Sequence, residues 1–102
     1  FGGYEGIRDL GLLESAIMSP QSSFGGAYLH SDIYAMAAAY AHGIIKNHPF
    51  LDGNKRTGIQ TALTFLYANN AKIRVTPSEV FALPLAIATS EASQEDAASL
   101  FR

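Results

Sequence analysis

The feature that most constrains the fold is an alanine-rich stretch whose apolar residues recur at helical spacing. Seven of them fall at offsets of 0, 3, 4, 7, 8, 11 and 12 from the first. They are Ile33, Met36, Ala37, Tyr40, Ala41, Ile44 and Ile45. These offsets form one continuous face of an α-helix. Because the side chains on this face are small, a second helix can approach it closely. The stretch predicts a central helix that is capped by Ser31 or Asp32 and ends before Pro49.

A first helix is predicted upstream of this stretch, with Asp9 as its N-cap. Its apolar residues are Leu10, Leu13, Ala16 and Ile17. Pro20 is expected to end the helix, because proline disfavours helical geometry in the residue before it. Residues 21–30 contain paired serines and paired glycines, so they predict a loop or a short hairpin flap with an exposed edge.

A third helix is predicted from Asn54 to about Asn69. Its apolar face is Ile59, Ala62, Leu63, Leu66 and Tyr67. Asn69 and Asn70 together suit a left-handed C-terminal cap. The segment 72–75 that follows is too short to predict more than an extended connector.

Two more helix starts follow. Thr76, proline and a glutamate three residues after the threonine form a strong helix-start pattern. Pro84 is expected to kink or interrupt that helix. Ser93 is expected to cap a final helix that reaches Arg102.

The fold class that these segments predict is all-α, a small helical bundle. Apolar residues make up 48% of the 102 residues and charged residues 16%, which fits a globular chain. No segment alternates as a strand would, so a sheet-based core is not expected. We expect one domain over residues 1–102. Since the chain begins at Phe1 without a methionine, we also expect its N-terminal helix to be missing.

Composition excludes several classes of function. Without cysteine there is no disulfide and no thiolate metal site, and a reducing cytoplasm is permitted. No apolar run approaches the ~18 residues that a membrane helix needs. The net charge is −2, whereas sequence-independent nucleic-acid binding depends on clustered cations. A nucleic-acid partner is therefore not expected.

The segment from His48 to Thr57 carries an imidazole, a carboxylate, an amide and two cations between two core helices. Gly53 and Asn54 lead directly into the third helix, whose first N–H groups are unpaired and carry partial positive charge. Lys55 and Arg56 in the first turn oppose the helix dipole, which prefers acids at that end. A sequence that accepts this penalty indicates a bound anion, and phosphate is the natural candidate.

Asp52 and His48 complete the predicted chemistry. A carboxylate beside a phosphate site is repulsive unless a cation intervenes, and Mg²⁺ bound by one carboxylate plus phosphate oxygens is the usual solution. His48 can take a proton from an attacking hydroxyl. The segment therefore predicts phosphoryl or nucleotidyl transfer. It is not a P-loop, because G-x-x-x-x-G-K-[ST] is absent.

The residues from His48 to Arg56, H-P-F-L-D-G-N-K-R, resemble the signature of the Fic/Doc family, H-P-F-x-[D/E]-G-N-G-R. Upstream, Gly6-Ile7-Arg8-Asp9, residues 11–16 and Pro20-Gln21 resemble the death-on-curing (Doc) branch. Residues 57–70 resemble the helix after the motif. The resemblance covers nearly the whole chain and is weaker after Val75.

The resemblance implies a role for each matching residue. His48 would be the catalytic base, Asp52 the Mg²⁺ ligand, Gly53 and Asn54 the anion-binding turn, Arg56 a contact to the nucleotide phosphates, and Phe50 a buried anchor. Lys55 stands where adenylylating relatives have a second glycine. In the Doc branch this lysine goes with a reversed ATP pose, which brings the γ-phosphate to the nucleophile. The implied reaction is phosphorylation of a protein hydroxyl.

The resemblance also implies partners. Relatives in the Doc branch are toxins of toxin–antitoxin pairs that act on a translation elongation factor, such as elongation factor Tu, in the cytoplasm. A Phd-type antitoxin covers the toxin with its C-terminal segment. The loop from Pro20 to Leu29 would be the flap that positions the target. No [ST]-x-x-x-E-[GN] inhibitory motif occurs, so inhibition is expected from another chain.

Three other interpretations stay open. The chain could transfer AMP, as the adenylylating relatives do. It could also be an inactive module that binds a nucleotide or a partner protein. A zinc site built from His42, His48 and Asp52 is the third, although the neighbouring cations oppose it.

Overall fold

A computed structural model describes residues 6–24, 33–49 and 52–102. Within these ranges the chain forms α1 (Leu10–Phe24), α2 (Ile33–Asn47), α3 (Asn54–Ala68), α4 (Pro77–Ala88) and α5 (Gln94–Phe101). No β-strand element is present in the described residues. The predicted all-α class is confirmed.

The α2 helix lies at the centre and packs against α1, α3, α4 and α5. Its predicted face is confirmed, because every residue of that face from Met36 to Ile45 is buried and Ile33 is partly buried. Ala38 and Ala39, which lie outside the predicted stripe, are buried as well. A helix surrounded on several sides buries more than one face.

The α2 and α3 helices approach each other closely at Gly58. A Cβ atom at this position would lie 2.7 Å from Ile45 Cγ1 and 3.1 Å from the Ala41 carbonyl oxygen. These contacts are near the end of α2 and the start of α3. The two ends of the loop that joins these helices are therefore held at a fixed separation.

Proline does not end or interrupt either helix that contains one internally. The predicted end of α1 at Pro20 is wrong, because the helix continues to Phe24. The first four residues of the predicted flap are thus helical, and residues 25–30 lie outside the described residues. The α4 helix likewise runs without interruption through Pro84. An internal proline removes one main-chain hydrogen bond, and the turns on either side can offset that loss. The buried Pro84 ring also contributes apolar burial.

The predicted starts of α1, α4 and α5 and the predicted end of α3 are confirmed, whereas Ser31 and Asp32, the predicted caps of α2, lie outside the described residues. The Leu12 N–H donates to Asp9 Oδ1 (3.1 Å), and α4 and α5 each begin with a complete capping box, at Thr76 and Ser93. At the end of α3, Asn70 has a left-handed φ of 58°. The Ala71 N–H donates to the Leu66 carbonyl (2.9 Å), which satisfies a carbonyl of the last turn.

Tyr67 is not on the buried face of α3 as predicted, since its side chain is 78% exposed. The buried residues of α3 follow a row with a spacing of four, joined by Ile59. They are Asn54, Gly58, Ile59, Ala62 and Leu66. Tyr67 follows the last of them by about 100° around the helix, which carries it off the row. Among the described residues, no helix is both long enough and apolar enough to span a membrane.

Candidate active site

His48 is the first residue after α2 and has a left-handed backbone, with φ 53°. Its N–H donates to the Ile44 carbonyl (3.2 Å), which closes the last turn of the helix. The residue is exposed. A non-glycine residue in this region is strained by about 1–2 kcal/mol. Such strain persists where surrounding contacts hold it, and it occurs often at functional sites.

The side chain of Asn54 lies against the imidazole of His48. Asn54 is buried, with 4% exposure, and its Nδ2 lies 3.2 Å from His48 Nδ1. An amide nitrogen can only donate, so in this orientation Nδ1 accepts and the neutral ring carries its proton on Nε2. Rotating the amide by 180° would present its oxygen, so that Nδ1–H donates and Nε2 is free to accept a proton. Asn54 therefore controls which ring nitrogen can act as a base.

The start of α3 has no side-chain cap. Gly53 is the N-cap residue, with a left-handed φ of 78°, and as a glycine it makes no side-chain cap hydrogen bond. The Thr57 N–H donates to the Gly53 carbonyl (2.8 Å) and closes the first turn. The N–H groups of Lys55 and Arg56 lie in this first turn, where the dipole is positive.

The two predicted cations lie at this uncapped end. Lys55 and Arg56 occupy the first turn of α3, and both are exposed. A Cβ atom at Gly53 would lie 3.5 Å from Arg56 Nη2, so the guanidinium group folds back over the turn. The first turn of α3 therefore combines main-chain donors with two cationic residues, which favours the binding of an anion.

Asp52 precedes this turn and is exposed. Its Oδ1 accepts a hydrogen bond from the Gly53 N–H (2.8 Å). In the ranges that the structure covers, the ion pair found is Arg102–Glu95, so the Asp52 carboxylate is not neutralised by Lys55 or Arg56. An exposed carboxylate beside a phosphate-sized anion site fits Mg²⁺, which takes one or two carboxylates together with phosphate oxygens.

The structure does not bring His42 to this group. No cluster of three or more histidine or acidic side chains forms among the described residues. Burial, assisted by the nearby Lys46, lowers the pKa of His42. His42, His48 and Asp52 therefore do not converge as a zinc site would require. Phe50, the predicted anchor, lies outside the described residues.

The sequence did not predict a contact between the segment before α1 and the main chain around His48. Arg8 Nε donates to the His48 carbonyl (2.8 Å), and Arg8 Nη2 donates to the Asn47 carbonyl (3.1 Å). The N–H groups of Arg8 and Asp9 both donate to the Pro49 carbonyl, at 2.6 and 3.0 Å. About 40 residues separate the two segments along the chain, so no local pattern could reveal the contact. The only signal was that Arg8 belongs to the upstream segment that resembles the Doc branch.

An open groove of about 440 Å³ continues from the site along α3. Its lining residues are Tyr40, Thr57, Gln60, Thr61, Thr64 and Phe65. The rings of Tyr40 and Phe65 contact each other, with centroids 5.3 Å apart. Because Thr57 lies one turn into α3, the groove begins directly beside the anion-binding turn.

These features define an all-α domain whose exposed histidine turn faces an uncapped, cationic helix start. A model of the Fic/DOC family matches residues 1–66, which is more than half of the chain. The chain therefore belongs to the Fic/Doc family, and its relatives place it in the death-on-curing branch.

Two relatives show this branch. The chain is 38% identical to "Toxin Doc" of Mycolicibacterium smegmatis over 73 residues, which cover 72% of the chain and 56% of that toxin. It is 31% identical to "Protein kinase doc" of Escherichia phage P1 over 102 residues, which cover the whole chain and 79% of that kinase. The chain thus spans little more than half the length of the first relative.

Proposed function

We propose that this chain is a Doc-type toxin that transfers the γ-phosphate of ATP to a hydroxyl group of a target protein. The observation that carries the proposal is the start of α3, where Lys55 and Arg56 lie in a first turn without an acid. At this helix start the Asn54 side chain contacts the imidazole of His48. The name of the phage relative, a protein kinase, supports phosphate transfer.

Each residue of the site has its own role in the proposed reaction. The turn at Gly53, with Lys55 and Arg56, binds the phosphate chain and neutralises its charge. His48 Nε2 accepts the proton of the target hydroxyl, which requires the orientation of the Asn54 amide that presents its oxygen to Nδ1–H. The hydroxyl oxygen bonds to the γ-phosphorus as the bond from that phosphorus to the β,γ-bridging oxygen breaks, so ADP leaves with the electron pair. Asp52 would hold Mg²⁺, which neutralises phosphate charge when bound.

Lys55 favours γ-phosphate transfer over AMP transfer. Its long cationic side chain occupies the position where the adenylylating pattern has a second glycine, and a glycine there would leave room for the α-phosphate. AMP transfer is the second candidate, because the rest of the motif is common to both reactions. In that reaction the hydroxyl attacks the α-phosphorus and diphosphate leaves.

The proposed partners follow from membership in the Doc branch. We propose a translation elongation factor, such as elongation factor Tu, as the target, and a Phd-type antitoxin as the inhibitor. Action on such a target would place the chain in the cytoplasm. The curated relative named as a toxin supports the toxin part of this proposal.

One experiment separates the candidates. The purified chain is incubated with Mg²⁺, elongation factor Tu and ATP labelled at either the α or the γ position, and the intact mass of the target is measured. We expect label from the γ position alone and a phosphoryl adduct. Label from the α position with the heavier adenylyl adduct would establish AMP transfer instead.

Two histidine variants provide the control. His48→Ala should reduce transfer by about 10²- to 10⁴-fold, the usual contribution of a general base. His42→Gln, on the same helix end but away from the turn, should retain activity. If wild type and His48→Ala both bind ATP but neither modifies any protein, the inactive binding module is the better description.

A further inference from the structure

We propose that Arg8 is a positioning residue, which holds the His48 turn in the geometry that proton transfer needs. The inference rests on the proposed function, in which His48 is the base. Arg8 belongs to the segment before α1, outside the H-P-F-L-D-G-N-K-R motif.

The contact is specific to three consecutive carbonyl groups. The Arg8 side chain spans the carbonyls of Asn47 and His48, while the main-chain N–H groups of Arg8 and Asp9 converge on that of Pro49. The planar guanidinium group provides two donors in a fixed geometry, which a flexible ammonium group cannot reproduce. Both main-chain polar groups of His48 are therefore held, the carbonyl by Arg8 and the N–H by Ile44.

The backbone of His48 explains why such a contact is needed. Its φ of 53° lies in the left-handed region, which a residue with a Cβ atom leaves unless neighbouring contacts prevent it. A rotation of this φ would swing the imidazole away from Asn54 Nδ2, now 3.2 Å from its Nδ1. Arg8 therefore acts on the ring indirectly, by fixing the backbone from which the ring projects.

A purely structural role would have a different signature. The carbonyls at the end of α2 need partners, and a cation is favourable at that end of the helix dipole. An arginine with only this role would change stability and leave the turnover of folded molecules unchanged. A positioning residue lowers kcat while the KM for ATP stays constant, because Lys55 and Arg56 bind the phosphates.

The test compares three variants of the full chain. Arg8→Met removes the charge and both donors, and Arg8→Lys keeps the charge without the two-point geometry. Arg74→Met is the matched control, because Arg74 is exposed and has no hydrogen bond among the described residues. For each variant, kcat and both KM values are measured at equal concentrations of folded protein. The ¹⁵N chemical shifts of the His48 ring are recorded in parallel.

We expect Arg8→Met to lower kcat by about 100-fold, the effect of misplacing a catalytic group by roughly 1 Å. The KM for ATP should not change, and the ring shifts should show an altered tautomer balance. Arg8→Lys should recover only part of kcat, and Arg74→Met should match wild type. If Arg8→Met does not fold, Arg8→Lys carries the same comparison.

Several outcomes would overturn the inference. If Arg8→Met left kcat and the His48 ring shifts unchanged, Arg8 would act only as a cap for the last carbonyl groups of α2. A raised KM for the target protein with unchanged kcat would make it a contact to the target. Failure of the proposed function would look different, since wild type would then transfer label from the α position of ATP or would transfer no label. In that case the ring shifts of Arg8→Met still test whether Arg8 holds the histidine.

Discussion

The start of α3 differs from the starts of α4 and α5, and the difference locates the site. Both C-terminal helices begin with a capping box, in which Thr76 pairs with Glu79 and Ser93 with Asp96. Each box satisfies exposed N–H groups and places a carboxylate at the positive end of the dipole. The α3 helix begins with Gly53, without a side-chain cap and without an acid in its first turn. The Asp52 carboxylate bonds to the Gly53 N–H, but the first turn of α3 carries two cations where α4 and α5 carry acids, which favours an anionic ligand at α3.

Reversing the charge at α3 should have the largest effect. Lys55→Glu should weaken ATP binding by about 10- to 100-fold, or about 1.4–2.7 kcal/mol, because a cation near the phosphates is replaced by an anion. The same change should stabilise the fold by about 0.3–1 kcal/mol, because acids suit a helix N-terminus. Calorimetric titration and urea unfolding measure the two effects. The control is Lys72→Glu in the exposed connector, which should leave ATP binding intact. If Lys55→Glu bound ATP as tightly as wild type, the start of α3 would not be the phosphate site, and it would not differ in function from the starts of α4 and α5.

The α2–α3 contact that holds the loop ends should be the next most sensitive. Gly58→Ala places a Cβ atom against Ile45 and Ala41, at separations that require movement. Overpacking typically costs about 1–3 kcal/mol, and the better helix propensity of alanine offsets about 1 kcal/mol of this. We expect a net loss of about 0–2 kcal/mol in the free energy of unfolding. In Gly43→Ala the new atom would lie 3.4 Å from Ala16, an ordinary contact, so that variant should be neutral or stabilised. If the two variants were equally stable, the close approach of α2 at Gly58 would not restrict the size of the side chain at this position.

Removing a cap from a structural helix should affect stability alone. Thr76→Ala deletes the oxygen that accepts from the Glu79 N–H (3.2 Å). The loss should be about 1 kcal/mol in chemical unfolding. ATP affinity should stay at the wild-type value, because α4 contributes nothing to the anion-binding turn. A parallel loss of ATP affinity would contradict the division between structural and ligand-binding helix starts.

The smallest expected effect is a pH dependence at α5. Hydrogen bonds from the main chain and side chain of Ser93 lower the pKa of Asp96. A carboxyl group with a lowered folded-state pKa stabilises the fold above its ordinary value of about 3.9, and that contribution is lost as the pH falls through the lower folded-state value. Asp96→Asn should therefore lose less stability than wild type on acidification through this range. Thermal unfolding at a series of pH values measures the difference. Parallel curves for the two proteins would count against the capping role of Asp96.

The parts of the fold that sequence predicted well are those set by neighbours along the chain. The capping boxes at Thr76 and Ser93 and the helical period of α2 depend on residues a few positions apart. The errors came where tertiary context decides. Pro20 was expected to end a helix that instead continues, and Tyr67 was placed on a face that the α3 packing does not use. Pro84 does not interrupt α4, which was one of the two outcomes expected there.

The site shows the same division. The His48–Arg56 motif was recognisable in the sequence, and its location at a helix start was predicted from the residues next to it. The direction of the Asn54 side chain, toward His48, depends on how the loop folds back. The contact of Arg8 with the same turn depends on α1 packing against α2. Neither can be deduced from spacing.

The close approach at Gly58 has a consequence for how this site can vary. Because α2 and α3 pack closely at Gly58, the distance from the end of α2 to the start of α3 is fixed, and the segment from His48 to Gly53 has to span it. Individual side chains within it can be exchanged, and the chemistry can change with them. An inserted or deleted residue would instead shift the histidine out of register with the helix start, so the length of this segment should be far less variable than its composition.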